Sequence, residues 1–322
     1  MGWRARCREV LVSLAALAGM LAAILSGVTP AWAQGPDGPT TRPSPTGLDV
    51  SWPQCGRALP EATDFAVVGV TGGTAASTNP CLADQLRWAT VATAGSLAGP
   101  SRIQLYVNTA NPGAILEQYG VVTWPTDNVD GRGADSAATP NDARRNPYGQ
   151  CTTTPDTYRG YTNDLACSWQ YGWNRAIETV DDRFAPAARE AGMSDSAAQY
   201  IWWLDVEEMN SWQQGPDGRA RNAATLEGMA QFFAAEGVPV VGVYSTPYQW
   251  RRIVGWAVGS ADASGHAVAG NLIGVPSWIA GSSDAAAAQL RCRILTGFTG
   301  GPVAMNQFIA DGLDHNVGCR ST

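Results

Sequence analysis

Residues 200–212, YIWWLDVEEMNSW, decide how the rest of the chain is read. The first half is aromatic and aliphatic, the length of one buried strand. Asp205, Glu207 and Glu208 follow, in a chain of which only 15% is charged. Carboxylates at the end of a buried run cost desolvation and add nothing to packing, so their position points to chemistry, the alternative being loop acids that cap helices or pair with Arg. In parallel α/β folds, site residues gather at the C-terminal ends of strands. Along a strand, residues i and i+2 face one side, which turns Asp205 and Glu207 together and Val206 away. Their Cα atoms would be about 6.6 Å apart at about 3.3 Å per residue. That lies between the carboxyl separations of retaining and inverting glycosidic pairs and selects neither.

Outward from this segment, short β-rich runs alternate with Ala-rich or amphipathic ones, the pattern of βα units around a parallel sheet. Strands are expected at 47–51 (GLDVS), 65–70, 103–108, 200–206, 238–245, 277–281 and 303–309. Helices are expected at 80–94, 170–191, 223–236, 248–258 and 284–291, with Thr225, Glu227 and Gly228 read as a start signal and Gly237 as a stop. Asp49 ends the first strand as Asp205 ends the fourth. Residues 120–166, rich in Asp, Asn, Gly, Pro and Thr, read as a long insertion after the third strand, placed above the mouth of the fold as part of a cleft.

Arg4, Arg6 and Arg8 precede an apolar run from Val10 to Val28 that ends in Ala31-Trp32-Ala33, the pattern of a cleaved secretory signal over 1–33. Residues 34–46 read as a flexible Pro/Gly/Thr linker, and 47–322 as one domain. Beyond the signal, no apolar run is long enough to span a membrane. The mature chain keeps six cysteines, which imply three disulfides in an oxidising compartment. Six cysteines allow 15 connectivities; the expected ones are the sequential pairs Cys55–Cys81, Cys151–Cys167 and Cys292–Cys319. None has zinc-ligand spacing, so no metal is expected.

All 21 basic residues are Arg, which excludes a P-loop lysine and a lysine Schiff base. A net charge of −7 argues against nucleic acid as a partner. Two histidines and no G-x-S-x-G leave little for a Ser-His-Asp hydrolase. His315 reads as a surface or hydrogen-bonded residue.

Taken together, these motifs resemble the family 25 glycoside hydrolases, the Chalaropsis-type lysozymes. The family's opening G-x-D-V-S is matched by Gly47-Leu48-Asp49-Val50-Ser51, and its central D-x-E by Asp205-Val206-Glu207. Its I-Y-(S/T) turn is matched by Val243-Tyr244-Ser245, and its W-I-A strand by Trp278-Ile279-Ala280. The closing W-Q-Y and V-D-x-N resemble Asn306-Gln307-Phe308 and Leu313-Asp314-His315-Asn316. The motifs keep family order from 47 to 319.

The resemblance implies an α/β fold, a modified (β/α) TIM-like barrel with predominantly parallel strands. It implies a secreted or wall-associated hydrolase, a monomer without cofactor, that cuts the β-1,4 bond between N-acetylmuramic acid and N-acetylglucosamine in peptidoglycan. Glu207 would be the general acid. Asp205 would steady the N-acetyl group or the developing positive charge, and Asp49 and Asp314 would complete an acidic floor. Trp202, Trp203 and Trp212 would be apolar walls that keep Glu207 protonated. Trp52, Trp212 and Tyr244 are candidates for stacking on sugar rings, and Asn108 and Asn111 for a sugar amide, although a turn accounts for these two equally well. Two departures stand out: Val70-Thr71-Gly72-Gly73 replaces a K-A-T-E-G-like segment, and Tyr106-Val107-Asn108 replaces Y-H-F. They keep open a second reading, a carbohydrate-binding barrel with little catalysis.

Overall fold

A computed structural model describes residues 44–96, 102–114, 123–135, 144–153, 162–294 and 296–319. The expected signal and all but the last three residues of the expected linker lie outside the described residues. Eight strands close a barrel in sequence order: β1 (Thr46–Val50), β2 (Phe65–Gly69), β3 (Ile103–Asn108), β4 (Ile201–Asp205), β5 (Val241–Ser245), β6 (Ser277–Ser282), β7 (Val303–Ala310) and β8 (Leu313–Gly318). Neighbours from β1 to β7 are parallel. The last strand, β8, runs antiparallel to both β7 and β1. Thr46, assigned to the linker from sequence, already pairs with Val317.

The early strands are covered on both faces and read as near-continuous apolar runs. Every residue of β2 and β4 is buried. Their side chains divide by the two-residue alternation. Phe65, Val67, Ile201 and Trp203 fill the barrel with Trp278 and Met305, while Ala66, Val68, Trp202 and Leu204 pack outward with Phe184, Phe232 and Phe233.

The helical layer comprises α1 (Leu82–Ala89), α2 (Leu165–Glu178), α3 (Ala185–Glu190), α4 (Gly215–Ala235), α5 (Pro247–Ile253) and α6 (Ala285–Arg291). The expected helix at 170–191 begins earlier, where Asp164 caps it by accepting the Cys167 N–H at 2.8 Å. It then widens into a π-turn over Thr179–Phe184, where the Ala185 N–H reaches back to Val180 O. Pro186, with no N–H to donate, follows at once. The fourth helix starts at Gly215, not at 223. Pro216 and Asp217 are its first-turn signals, and the supposed start residues lie in its buried middle. Thr225 there donates to Ser168 O at 2.8 Å. Gly237, in the left-handed region, ends the helix as expected.

Gly172 and Gly228 let α2 and α4 touch backbone to backbone: a Cβ on Gly228 would lie 2.1 Å from Trp169 O, and one on Gly172 1.9 Å from Thr225 O.

The closing hairpin turns on Asp311 and Gly312, both at positive φ, the two-residue Asp-Gly turn that matches strand twist. The three disulfides join the expected partners. Among the described residues, no helix is long and apolar enough to cross a membrane.

The described residues of the insertion do not line the mouth, where the insertion was expected. Several pack along the outside of α2 and α4, while Asn163 Nδ2 donates to Gln213 Oε1 at 2.9 Å in the loop after β4. Trp124 stacks on Tyr171 at 5.0 Å between centroids, and Arg132 bridges Asp181 at 2.7 Å and Glu236 at 2.6 Å. Glu236 follows the end of α4, at the opposite end of the barrel from the C-terminal tip of β4. None of the insertion's described residues lines the cleft at the strand C-termini.

Gly228→Ala is expected to destabilise the fold by about 3 kcal/mol, because the added methyl meets backbone that cannot swing aside. Chemical denaturation of the purified protein would check this; an unchanged midpoint would contradict the close helix contact.

Candidate active site

Three inward glycines make room for rings in the barrel's interior. A Cβ on Gly47 would lie 2.3 Å from the Phe65 ring, one on Gly69 2.5 Å from Tyr106, and one on Gly242 2.2 Å from Trp203. Tyr244 and Trp278 pack at 4.4 Å between centroids and Tyr106 meets Trp278 edge-on at 6.2 Å. These rings form a floor, and Asp49, Asn108, Asp205 and Gln307 lie with them along a cleft of about 380 Å³ at the strand C-termini. Glu207, Asp314 and Trp52 border the same cleft. The expected acids therefore converge at one mouth.

Asp49 and Asp314 face each other across the antiparallel β1–β8 pair, which puts both side chains on one side of the sheet. Asp49 is buried. It accepts Asn316 Nδ2 at 2.6 Å and Gln307 Nε2 at 3.1 and 3.2 Å. Trp278 Nε1 holds Asn316 Oδ1 at 2.7 Å, and Tyr244 OH holds Gln307 Oε1 at 2.8 Å, so both amides present their N–H groups to the carboxylate. Burial, then the charge of Asp314, push Asp49 up to about 8 against the pull of these amides. Asp314 is raised as well, by burial.

Asp205 ends β4, in register with Asn108 of β3 and Tyr244 of β5. Asn108 Nδ2 donates to its Oδ2, while its Oδ1 is buried and has no protein partner. Burial and, next, the Glu207 charge hold Asp205 well above the usual carboxylate range, with the Asn108 bond opposing. Glu207 lies two residues further, beyond the strand, and is only partly buried. Its backbone carbonyl accepts Trp212 Nε1 at 2.8 Å and the Asn210 N–H at 3.1 Å. Burial raises it, opposed by a hydrogen bond with Gln249, and the Asp314 charge adds to the rise.

Several expected roles change. Trp212 is buried and does not border the acid cleft; its indole anchors the turn that carries Glu207. Trp202 points outward, stacked on Phe233 at 4.6 Å. Trp203 is inside the barrel below the acids, its Nε1 bonded to Gln104 Oε1 at 2.8 Å. Neither walls the cleft, because alternation along β4 sends one outward and the other beneath Asp205. Asn111 is fully buried in a turn. Its Oδ1 accepts the Gly113 N–H and Gln213 Nε2, so the turn accounts for it. Trp52 remains on the rim, 49% exposed. Gly73, from the segment that departs from the family pattern, makes room for its indole: a Cβ there would lie 2.5 Å from Trp52 Nε1.

Gln307, Asn316, Thr71, Tyr106 and Trp278 belong to the site and were not singled out as site residues from sequence. For Gln307, Tyr106 and Trp278 the signal was a polar or ring side chain at an inward position of an otherwise apolar strand. Among the described residues, no group of three or more His, Cys, Asp or Glu is placed to hold a metal ion.

No family model matches the sequence, and no curated protein does. Among solved structures, the chain is similar to the muramidase from Trichobolus zukalii, at 13% identity and a TM-score of 0.43 over 85% of this chain and 93% of that one. It is similar to the bacterial lysozyme from Streptomyces coelicolor at 12% identity and a TM-score of 0.42, over 86% and 93%. A family GH25 lysozyme from Aspergillus fumigatus aligns at 11% identity and a TM-score of 0.41, over 85% and 94%.

All four cleft acids sit above their ordinary values. The folded protein therefore keeps protons that the unfolded chain has released, and the protonated acids' contribution is full below about pH 4. For Asp49 it is lost as pH rises from 3.8 to about 8. The melting temperature is expected to fall between pH 5 and pH 8, and Asp49→Asn to flatten that slope. Thermal unfolding across this range would show it; equal slopes for the two proteins would contradict the assignment.

Proposed function

We propose that the chain is a secreted glycoside hydrolase that cuts the β-1,4 bond between N-acetylmuramic acid and N-acetylglucosamine in peptidoglycan. The observation that carries this reading is the meeting of Asp49, Asp205, Glu207 and Asp314 at one open cleft, with Glu207 partly exposed and raised, and Asp205 raised beside it. Two neighbouring carboxyls that repel one another share a proton, one neutral and one charged. Glu207, the member of the pair that reaches solvent and the cleft, is raised by burial and delivers a proton to the glycosidic oxygen as the bond breaks. Asp205, buried beneath, is the charge or acceptor that meets the acetamido group and the sugar's developing positive charge. Asp49, neutral at pH 7 by its value of about 8, limits the negative charge of the floor.

The cleft lining contains no Arg among the described residues, which suits an uncharged sugar better than a phosphate or a nucleotide. Tyr244, Trp278 and the half-exposed Trp52 offer the ring faces on which sugars stack. Three disulfides accord with an oxidising destination. The binding-only reading keeps one observation in its favour: Gly72 stands where the family pattern has its acidic residue, and Val107-Asn108 where it has His-Phe.

Glu207→Gln is expected to lower release of reducing ends from purified peptidoglycan by about 10²–10⁴-fold, with the protein still folded and still retained on insoluble wall. Mass spectrometry of the wild-type products should find N-acetylmuramic acid at the new reducing end. Equal release by the two proteins would remove Glu207 as the acid. Retention on the wall without soluble product would leave a binding barrel.

A further inference from the structure

Thr71 follows β2 by two residues and is fully buried. Its hydroxyl oxygen accepts the Asn108 backbone N–H at 3.0 Å, and the hydroxyl proton goes to Asn108 Oδ1 at 2.7 Å. A side-chain amide has one accepting and one donating end. With Oδ1 taken by Thr71, Nδ2 must face the other way, and there it donates to Asp205 Oδ2. The next residue, Thr109, holds the Asp205 backbone carbonyl through its own N–H at 3.1 Å and its hydroxyl at 2.6 Å. Turning the Asn108 amide over would set Nδ2 against the Thr71 proton and Oδ1 against the carboxylate, two repulsions in a buried site.

We propose that Thr71 is a positioning residue which, through Asn108, decides that Oδ1 of Asp205 is the oxygen offered to the substrate's acetamido group. This deepens the glycosidase reading and rests on it for the identity of the ligand. Oδ2 is occupied by an N–H, and a proton placed there would confront that donor, so the proton of neutral Asp205 resides on Oδ1. Neutral Asp205 then donates from Oδ1 to an acetamido carbonyl, and ionised Asp205 accepts the acetamido N–H at the same atom. Oδ1, which has no protein partner, is the oxygen this arrangement leaves for a ligand. The titratable groups facing Asp205 are Asp49 from β1, Tyr106 from β3, Glu207 beyond β4 and Tyr244 from β5, with Asp314 of β8 across from Asp49. None is a cation. The Asn108 amide is the neighbour that favours the ionised form, so releasing it moves the titration of Asp205 upward.

The test uses protein labelled with ¹³C at the aspartate carboxyls, the Asp205 resonance being assigned by its loss in Asp205→Asn. The Asp205 midpoint is expected to move up in Thr71→Val and to return to the wild-type position in Thr71→Ser, which restores the hydroxyl. On peptidoglycan, Thr71→Val is expected to lose about tenfold in kcat, the cost of one hydrogen bond to a charged group, with its pH profile displaced the same way. Thr71→Ser should retain the wild-type rate. Should Thr71→Val not fold, Thr71→Cys, close in size and with only a weak donor in place of the hydroxyl, gives the same readout. An unmoved midpoint in either folded variant, or a Thr71→Ser that behaves as Thr71→Val, would overturn the proposal. The titration needs no turnover. Wild-type protein that releases no sugar would retire the glycosidase reading and leave the test of Thr71 intact.

Discussion

Four carboxyl groups brought out of water into one small cleft are the constraint around which this barrel is organised. Each pays for desolvation, and each raises its neighbours further, because like charges in a weakly polar site repel strongly. Side-chain amides offset part of that cost, and at Asp314 the charge of His315 opposes the rise. Asn316 and Gln307 serve Asp49, and Asn108 serves Asp205. An arginine would have stabilised the acids more and drawn them down to ordinary carboxylate behaviour. An amide orients a carboxyl while leaving its proton available. Each amide is itself held at its far end, by Trp278, Tyr244 or Thr71, so the direction of every donor is set by a second bond.

That arrangement requires a barrel whose interior is solid just below the acids. The interior is filled by rings opposite glycines: Phe65 beside Gly47, Tyr106 beside Gly69, Trp203 beside Gly242. Alternating large and small residues around a closed sheet is how a narrow barrel fills its taper without voids. The ring floor supports the acids from beneath and removes the water that would otherwise solvate them. It also supplies the indole and phenol groups that hold the amides. Packing and electrostatics therefore depend on the same few side chains, Tyr244 and Trp278 above all.

Much of this was legible in the sequence. The seven parallel strands were readable because burial on both faces leaves unbroken apolar runs, and Asp49, Asp205 and Glu207 were readable because acids are conspicuous where such runs end. The eighth strand was not, since LDHNVG sets three polar residues in a row and was taken only as a motif; the Asp311-Gly312 turn before it was the available clue. The tryptophans of 200–212 were misplaced for a different reason. Composition marks Trp202, Trp203 and Trp212 as apolar, but only strand phase and the path of the chain after Asp205 decide which faces the helices, the barrel interior or the loop. Thr225, Glu227 and Gly228 mimic a helix start because the residue types that cap helices also serve close helix packing, as at Gly228. The insertion was placed by its length and composition, which carry no direction; Arg132, Trp124 and Tyr148 draw its described parts to the outer helices.

The antiparallel eighth strand links closure of the fold to the site. A parallel strand in that place would need a crossover connection, whereas a hairpin of two turn residues returns the chain at once and sets Asp314 against Asp49 and Asn316 beside it. Such a strand lies at the end of the domain, where fraying is easiest. Cys292–Cys319 ties the residue just past it to the end of α6, and Asn306 of the neighbouring strand donates to Cys319 Sγ at 3.2 Å. The disulfide thus fastens the strand that delivers one acid and the amide of another. Because a cross-link acts mainly by restricting the unfolded chain, it opposes the loss of stability that the buried acids impose at neutral pH without altering the acids themselves. The same cross-link thus serves the cleft as well as the fold.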